Sequence, residues 1–210
     1  MYLAQEMVFS FNFIVNVLIA LLALIIAYFS FRAHKVMKSY TFGYFSLGFL
    51  SISAAFFVDA FSMFVWVINA AHITGTLTSF TYGASILLFK FFLLLGLMLI
   101  LFATRSDRSK LKSNISIYFF MILIVLSLIY NNLFFIVSIL LLLFISGHYL
   151  INVISGKNNM SLFVFISMAL LLIGVVRFLF IQPYSCYIQP LSFLASFLIM
   201  YWVVIKSYKC

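Results

Sequence analysis

Acidic residues are almost missing from this chain: Glu6, Asp59 and Asp107 are the only ones in 210 residues. General acid–base or two-metal catalysis therefore has almost no material, and no serine-elbow, zincin, phosphate-loop or dinucleotide motif makes up for it. An enzyme is not expected. Charge of either sign is scarce too, at 7% of residues, where a soluble domain carries about a quarter. Cysteine is limited to Cys186 and Cys210, which form no CxxC and no zinc pattern. Proline is limited to Pro183 and Pro190, which are expected to break the last helical segment from the one before it. Of the histidines His34, His72 and His148, only His34 and His148 could converge at one depth, so no metal and no cofactor is expected. The first residues, MYLAQEMVFSFNF, have no basic leader region and no small-residue cleavage site, and read as the start of a retained helix.

What is present is apolar: 67% hydrophobic residues, 20% of all residues aromatic. Too little polar surface remains to face water, so the chain reads as an all-α polytopic membrane protein. At about 20 residues per crossing the length allows roughly seven or eight spans and no soluble domain. The expected spans cover about 7–31, 41–69, 80–103, 115–130, 133–151, 161–181 and 190–205, one seven-helix transmembrane domain over 1–210. Asn131-Asn132 is expected to join the fourth and fifth as a tight hairpin.

Basic residues alternate between connections. The first carries Arg32, Lys35 and Lys38, the third Arg105, Arg108, Lys110 and Lys112, the fifth Lys157, and the tail Lys206 and Lys209. The N-terminal segment and the second, fourth and sixth connections carry none. By the positive-inside rule the N-terminus is outside and the C-terminus cytoplasmic. The net charge of +9 is then anchoring at anionic headgroups, or docking of a membrane or cytoplasmic partner on the basic inner loops, rather than nucleic-acid binding. A plasma membrane, prokaryotic before organellar, is the expected location. Trp66 and Tyr82 at the outer ends, with Tyr40, Tyr149, Trp202 and Tyr208 at the inner ones, suit interfacial belts.

An ionised group at membrane depth costs about 2.5–3.5 kcal/mol on insertion scales, so it marks a partner or a purpose. Asp59 and Lys90 each lie about ten residues from the outer end of adjacent antiparallel spans, which predicts an ion pair at equal height near the midplane. Gly48, Ser51, Ala55, Asp59 and Ser62 form one narrow stripe, predicted to face other helices while the bulky side faces lipid. Ser79 and Gly83 share the Lys90 face and would let the backbones approach. With Asn12 and Asn16 on the first span and Arg177 on the sixth, these residues make a candidate outer-half ligand site. One carboxylate with two cations would favour an anionic or carbonyl-bearing ligand.

Seven spans with an outside N-terminus are similar in layout to opsins and seven-helix receptors. Opsins of microbes imply a retinal lysine mid-way along the last helix, and 190–205 has none. The segment HKVMKSYTFGYFSLGFLSISAAFF resembles the start of the second helix in small multi-span membrane proteins of archaea, which implies no activity. The function expected is a receptor or sensor with an outward polar cavity. A structural or assembly subunit of a larger complex is the alternative, and a small-solute or ion transporter the third.

Overall fold

The computed structural model describes the backbone of residues 2–70, 75–105, 112–155, 160–178 and 185–209, and the side chains of 10–65, 83–104, 121–130, 132–155, 160–176 and 189–206. Within these the fold is all-α. Seven helices follow in order: α1 (Tyr2–Met37), α2 (Tyr40–Ala70), α3 (Gly75–Arg105), α4 (Lys112–Ile129), α5 (Asn131–Ile154), α6 (Met160–Phe178) and α7 (Ser185–Lys209). Five segments are long and apolar enough to cross a membrane: Ser10–Met37, Tyr40–Val65, Gly83–Thr104, Asn132–Ile154 and Gln189–Lys206. The apolar part of α6, Met160–Val176, is shorter. The protein is membrane-embedded.

Apart from Pro190 near the start of α7, these apolar runs have no proline and satisfy their backbone groups within each helix, the requirement lipid imposes. The first connection is tight. α1 continues past residue 31 to Met37, so Arg32, His34 and Lys35 ride on its last turns, where cations complement the helix dipole. Lys38 then turns left-handed (φ 50°), and its N–H returns to the His34 carbonyl at 2.8 Å. His34 Nδ1 donates to the Ser39 carbonyl at 2.7 Å, holding the chain as it enters α2. A left-handed turn at a helix end is usually glycine. Lys38→Gly is therefore expected to raise stability by up to about 1 kcal/mol, read as a higher thermal midpoint in detergent.

Six helices close into a ring in the order α1, α2, α3, α5, α6, α7, with α7 returning to α1; α4 lies outside and touches α3 and α5. The antiparallel register of α1 and α2 is set by serines that donate to backbone carbonyls opposite, Ser46 to Ala27 (2.9 Å) and Ser53 to Ala20 (2.8 Å). α2 and α3 cross at paired glycines. A Cβ on Gly96 would lie 2.7 Å from the Gly48 carbonyl oxygen, so the backbones touch there. α6 and α7 cross where Gly174 makes room for Ser192 and Phe193. Farther along the same pair, Ser196 Oγ donates to the Ser167 carbonyl (2.8 Å), with the two hydroxyls 2.8 Å apart. Close backbones and serine bonds are how helices associate in lipid, where apolar burial gives little drive.

Phenylalanines fill the middle. Phe56 of α2 meets Phe89 of α3 and both Phe193 and Phe197 of α7 edge-on, with centroids 5.8–6.0 Å apart, and Phe49 adds a further contact to Phe197. The expectation that α2 turns its bulky side to lipid is thus corrected: Tyr44, Leu47, Leu50, Phe57, Phe61 and Phe64 are exposed, but Phe49 and Phe56 are core. The small stripe is not one interface either. Gly48 faces α3, whereas Asp59 faces α1.

Three junctions differ from expectation. Pro190 lies inside α7, near its start, where the loss of one N–H does not end the helix. Asn131 and Asn132 open α5, and Tyr130 alone makes the join from α4, in an extended conformation (φ −109°, ψ 112°). Among the described residues a Cβ on Gly83 would meet no heavy atom within 4 Å, and the close approach on α3 is at Gly96 instead.

Candidate functional site

The polar residues of α1 and α2 meet at the end of the ring remote from the basic connections. Asn16 Nδ2 donates to Asp59 Oδ2 at 2.7 Å and lies 3.7 Å from Met63 Sδ. Asn16 is 6% exposed, so this bond is made inside the protein. Asn12 sits one turn further out on the same face of α1. Its Oδ1 is buried and has no hydrogen-bond partner among the described residues. Ser62 Oγ returns to the Asp59 carbonyl (2.8 Å) and leaves the carboxyl alone. Phe13 stacks on Phe64 alongside, with centroids 6.2 Å apart.

Lys90 does not belong to this cluster. It is 7% exposed, and its Nζ lies 5.7 Å from the centroid of the Phe134 ring of α5, within cation–π range. The pairing of Phe56 with Phe89 makes Lys90 level with Ala55, so Asp59 stands one turn further out, about 6 Å away along the axis. The two residues are neither at one height nor turned to the same neighbour. Asp59 faces α1, and Lys90 reaches α5. The equal-height pair expected from sequence is corrected by this register. Sequence distance from the ends misleads because α1, α2 and α3 run outward past the start of α5, where Lys90 lies over Phe134. Phe193, which touches Phe56, packs on Gly174 of α6.

Phe56, Phe89, Phe193 and Phe197 lie directly beneath Asp59 toward the basic end. Asn12, Asn16 and Asp59 thus form a polar cluster at the α1–α2 contact, next to this aromatic core. No protein-family model, curated protein or solved structure matches this chain. The site stands on its geometry.

The backbone of Arg177 is described within α6, but its side chain lies outside the described residues, as do the side chains of Arg105 and Lys112, the whole of Arg108 and Lys110, and His72. Arg32, Lys35 and Lys38 gather where α1 ends and α2 begins, and Lys206 near the end of α7. Lys35 and Lys206 fold back on rings of their own helices, Phe31 and Trp202, both at 4.8 Å. Trp202 is exposed and packs edge-on against Phe163, while Tyr149 is drawn inward against the core. His34 is engaged at the first connection. His148 pairs with Asn152 of its own helix (3.2 Å), and α1 and α5 are not in contact, so these two histidines do not converge.

Sequence reasoning misses Met63 as a neighbour of Asn16, together with the buried Asn12 oxygen. The first has a signal, since Met63 is one turn from Asp59 on the same face. The second has none, because a side chain left without a partner is visible only once its surroundings are built.

Proposed function

We propose that this chain is a non-enzymatic integral membrane protein of receptor or sensor type, crossing a cell membrane seven times with its N-terminus outside. In this reading the mouth formed by Asn12, Asn16 and Asp59 takes a ligand from the outer side. The basic end, with Arg32, Lys35, Lys38, Arg105, Arg108, Lys110 and Lys112, meets a cytoplasmic partner or anionic headgroups. One observation carries it: a part-buried polar cluster of Asn12, Asn16 and Asp59 lies next to a packed aromatic core in a ring that closes on itself. A ligand held there is stopped by Phe56 rather than passed on, which favours sensing over transport. Closure of α7 onto α1 buries the faces that a subunit would otherwise offer to a neighbour.

A complex subunit is the second reading, and α4 favours it. This helix stands outside the ring and exposes Met121, Ile122, Val125, Leu126 and Ile129. Native mass measurement after extraction in mild detergent separates the two. The receptor reading expects particles of the 24.1 kDa chain or whole multiples of it. A different membrane-spanning protein retained at fixed stoichiometry would overturn it in favour of the subunit.

A further inference from the structure

We propose that the mouth between α1 and α2 binds a monovalent cationic group, either Na+ or the ammonium of a primary amine, on the Asp59 carboxylate and the Asn12 amide oxygen. The proposal rests on the reading of that mouth as the ligand site and changes the class of ligand that sequence alone suggests. An anion or carbonyl group would need donors. Among the described residues the only donors left there are the N–H groups of the neutral Asn12 amide, which cannot offset the Asp59 charge against an anion: Lys90 is one turn deeper and turned to Phe134, and the Asn16 amide nitrogen is already directed at Asp59 and Met63.

What the mouth offers is acceptors. A carboxylate has about four lone-pair positions, and the Asn16 bond to Oδ2 takes one of them. Asn12 Oδ1 is a further acceptor, buried and unpaired among the described residues. Burying such an oxygen without a partner is costly, and burying a carboxylate beside it without a counter-charge is more so. A positive group between them relieves both at once. Its charge is limited by the oxygens present, since Ca2+ takes about six to eight oxygen ligands and several carboxylates. One carboxylate and one amide oxygen match a single positive charge. Na+ would use these oxygens as direct ligands, and a primary ammonium would donate its N–H groups to them.

Thermal unfolding in a neutral detergent tests this, with sodium chloride, methylammonium chloride or choline chloride at equal ionic strength and pH. Choline has no N–H and is the reference. Sodium or methylammonium at saturation is expected to raise the midpoint of the unaltered chain by roughly 5 °C or more over choline. A response to sodium alone assigns a metal ion, and a response to methylammonium alone assigns an amine ligand. Asp59→Asn, which keeps shape and loses charge, is expected to abolish the increment. Asn12→Leu is expected to lose most of it while melting at least as high as the unaltered chain in choline, because the orphaned oxygen is gone. If Asp59→Asn does not fold, Asn12→Leu decides alone. Equal midpoints in all three salts overturn the proposal, as does an increment that survives in both variants. Such a failure is distinct from failure of the receptor reading, which the mass measurement decides on its own.

Discussion

Gly96→Ala is expected to cost about 2–3 kcal/mol and to lower the yield of folded protein, although it adds a single methyl group. The added Cβ would lie 2.7 Å from the Gly48 carbonyl oxygen and close to the Ile52 side chain and its backbone nitrogen. A carbonyl in mid-helix cannot rotate away, so relief requires α2 to move off α3 as a unit. That movement loosens the neighbouring contacts of Phe56 with Phe89 and Tyr44 with Phe102, on either side of the crossing. Gly83→Ala is the control. On the same helix, its added methyl meets nothing within 4 Å among the described residues and should be neutral or gain about 0.5–1 kcal/mol from helix propensity. Detergent-denaturant titration of both variants checks the contrast, and equal effects would refute the close crossing.

Phe56→Ala is expected to cost about 3–5 kcal/mol, the range for deleting a buried aromatic side chain. Phe56 is 3% exposed and is the one described ring that touches both α3 and α7 from α2. Its loss removes three edge-on contacts and leaves space bounded by Phe89, Phe193 and Phe197, whose rings cannot all collapse into it. Phe56→Leu should cost less than half as much, because most of the volume is kept. Thermal midpoints of the two variants give the ratio. A similar, small loss in both would mean that the floor beneath Asp59 is loosely packed.

The helices are legible in sequence because lipid imposes a simple rule: long apolar runs with charges at their ends. α2 and α3 fall where the hydrophobic pattern puts them, within a few residues. The ends are less legible, since Arg32 and Lys35 look like loop residues yet extend a helix whose dipole they complement. The choice of neighbours is illegible. Which face of α2 meets α1 and which meets α3 depends on backbone approach at Gly48 and on bonds from Ser46 and Ser53, and a one-dimensional stripe averages these together. The same blindness affects the site. Asp59 stands out for its cost in lipid and Asn16 for its polarity, and the structure joins them. Lys90 stands out by the same argument, but its burial is against a ring on α5, far along the chain, and no local pattern links the two.

Closure of the ring by α7 bears on how the protein is made. Helices emerge from the ribosome in order, and α1, α2 and α3 can assemble at once through the serine bonds and the glycine crossing. Until residues 189–206 arrive, however, Phe49 and Phe56 have no α7 rings against them and α1 has no second neighbour. A chain stalled or cleaved before that point leaves a bundle with an open seam in the bilayer. Quality-control proteases that recognise unsealed helices would find their handle there, and the arrival of α7 thus decides whether the bundle is kept.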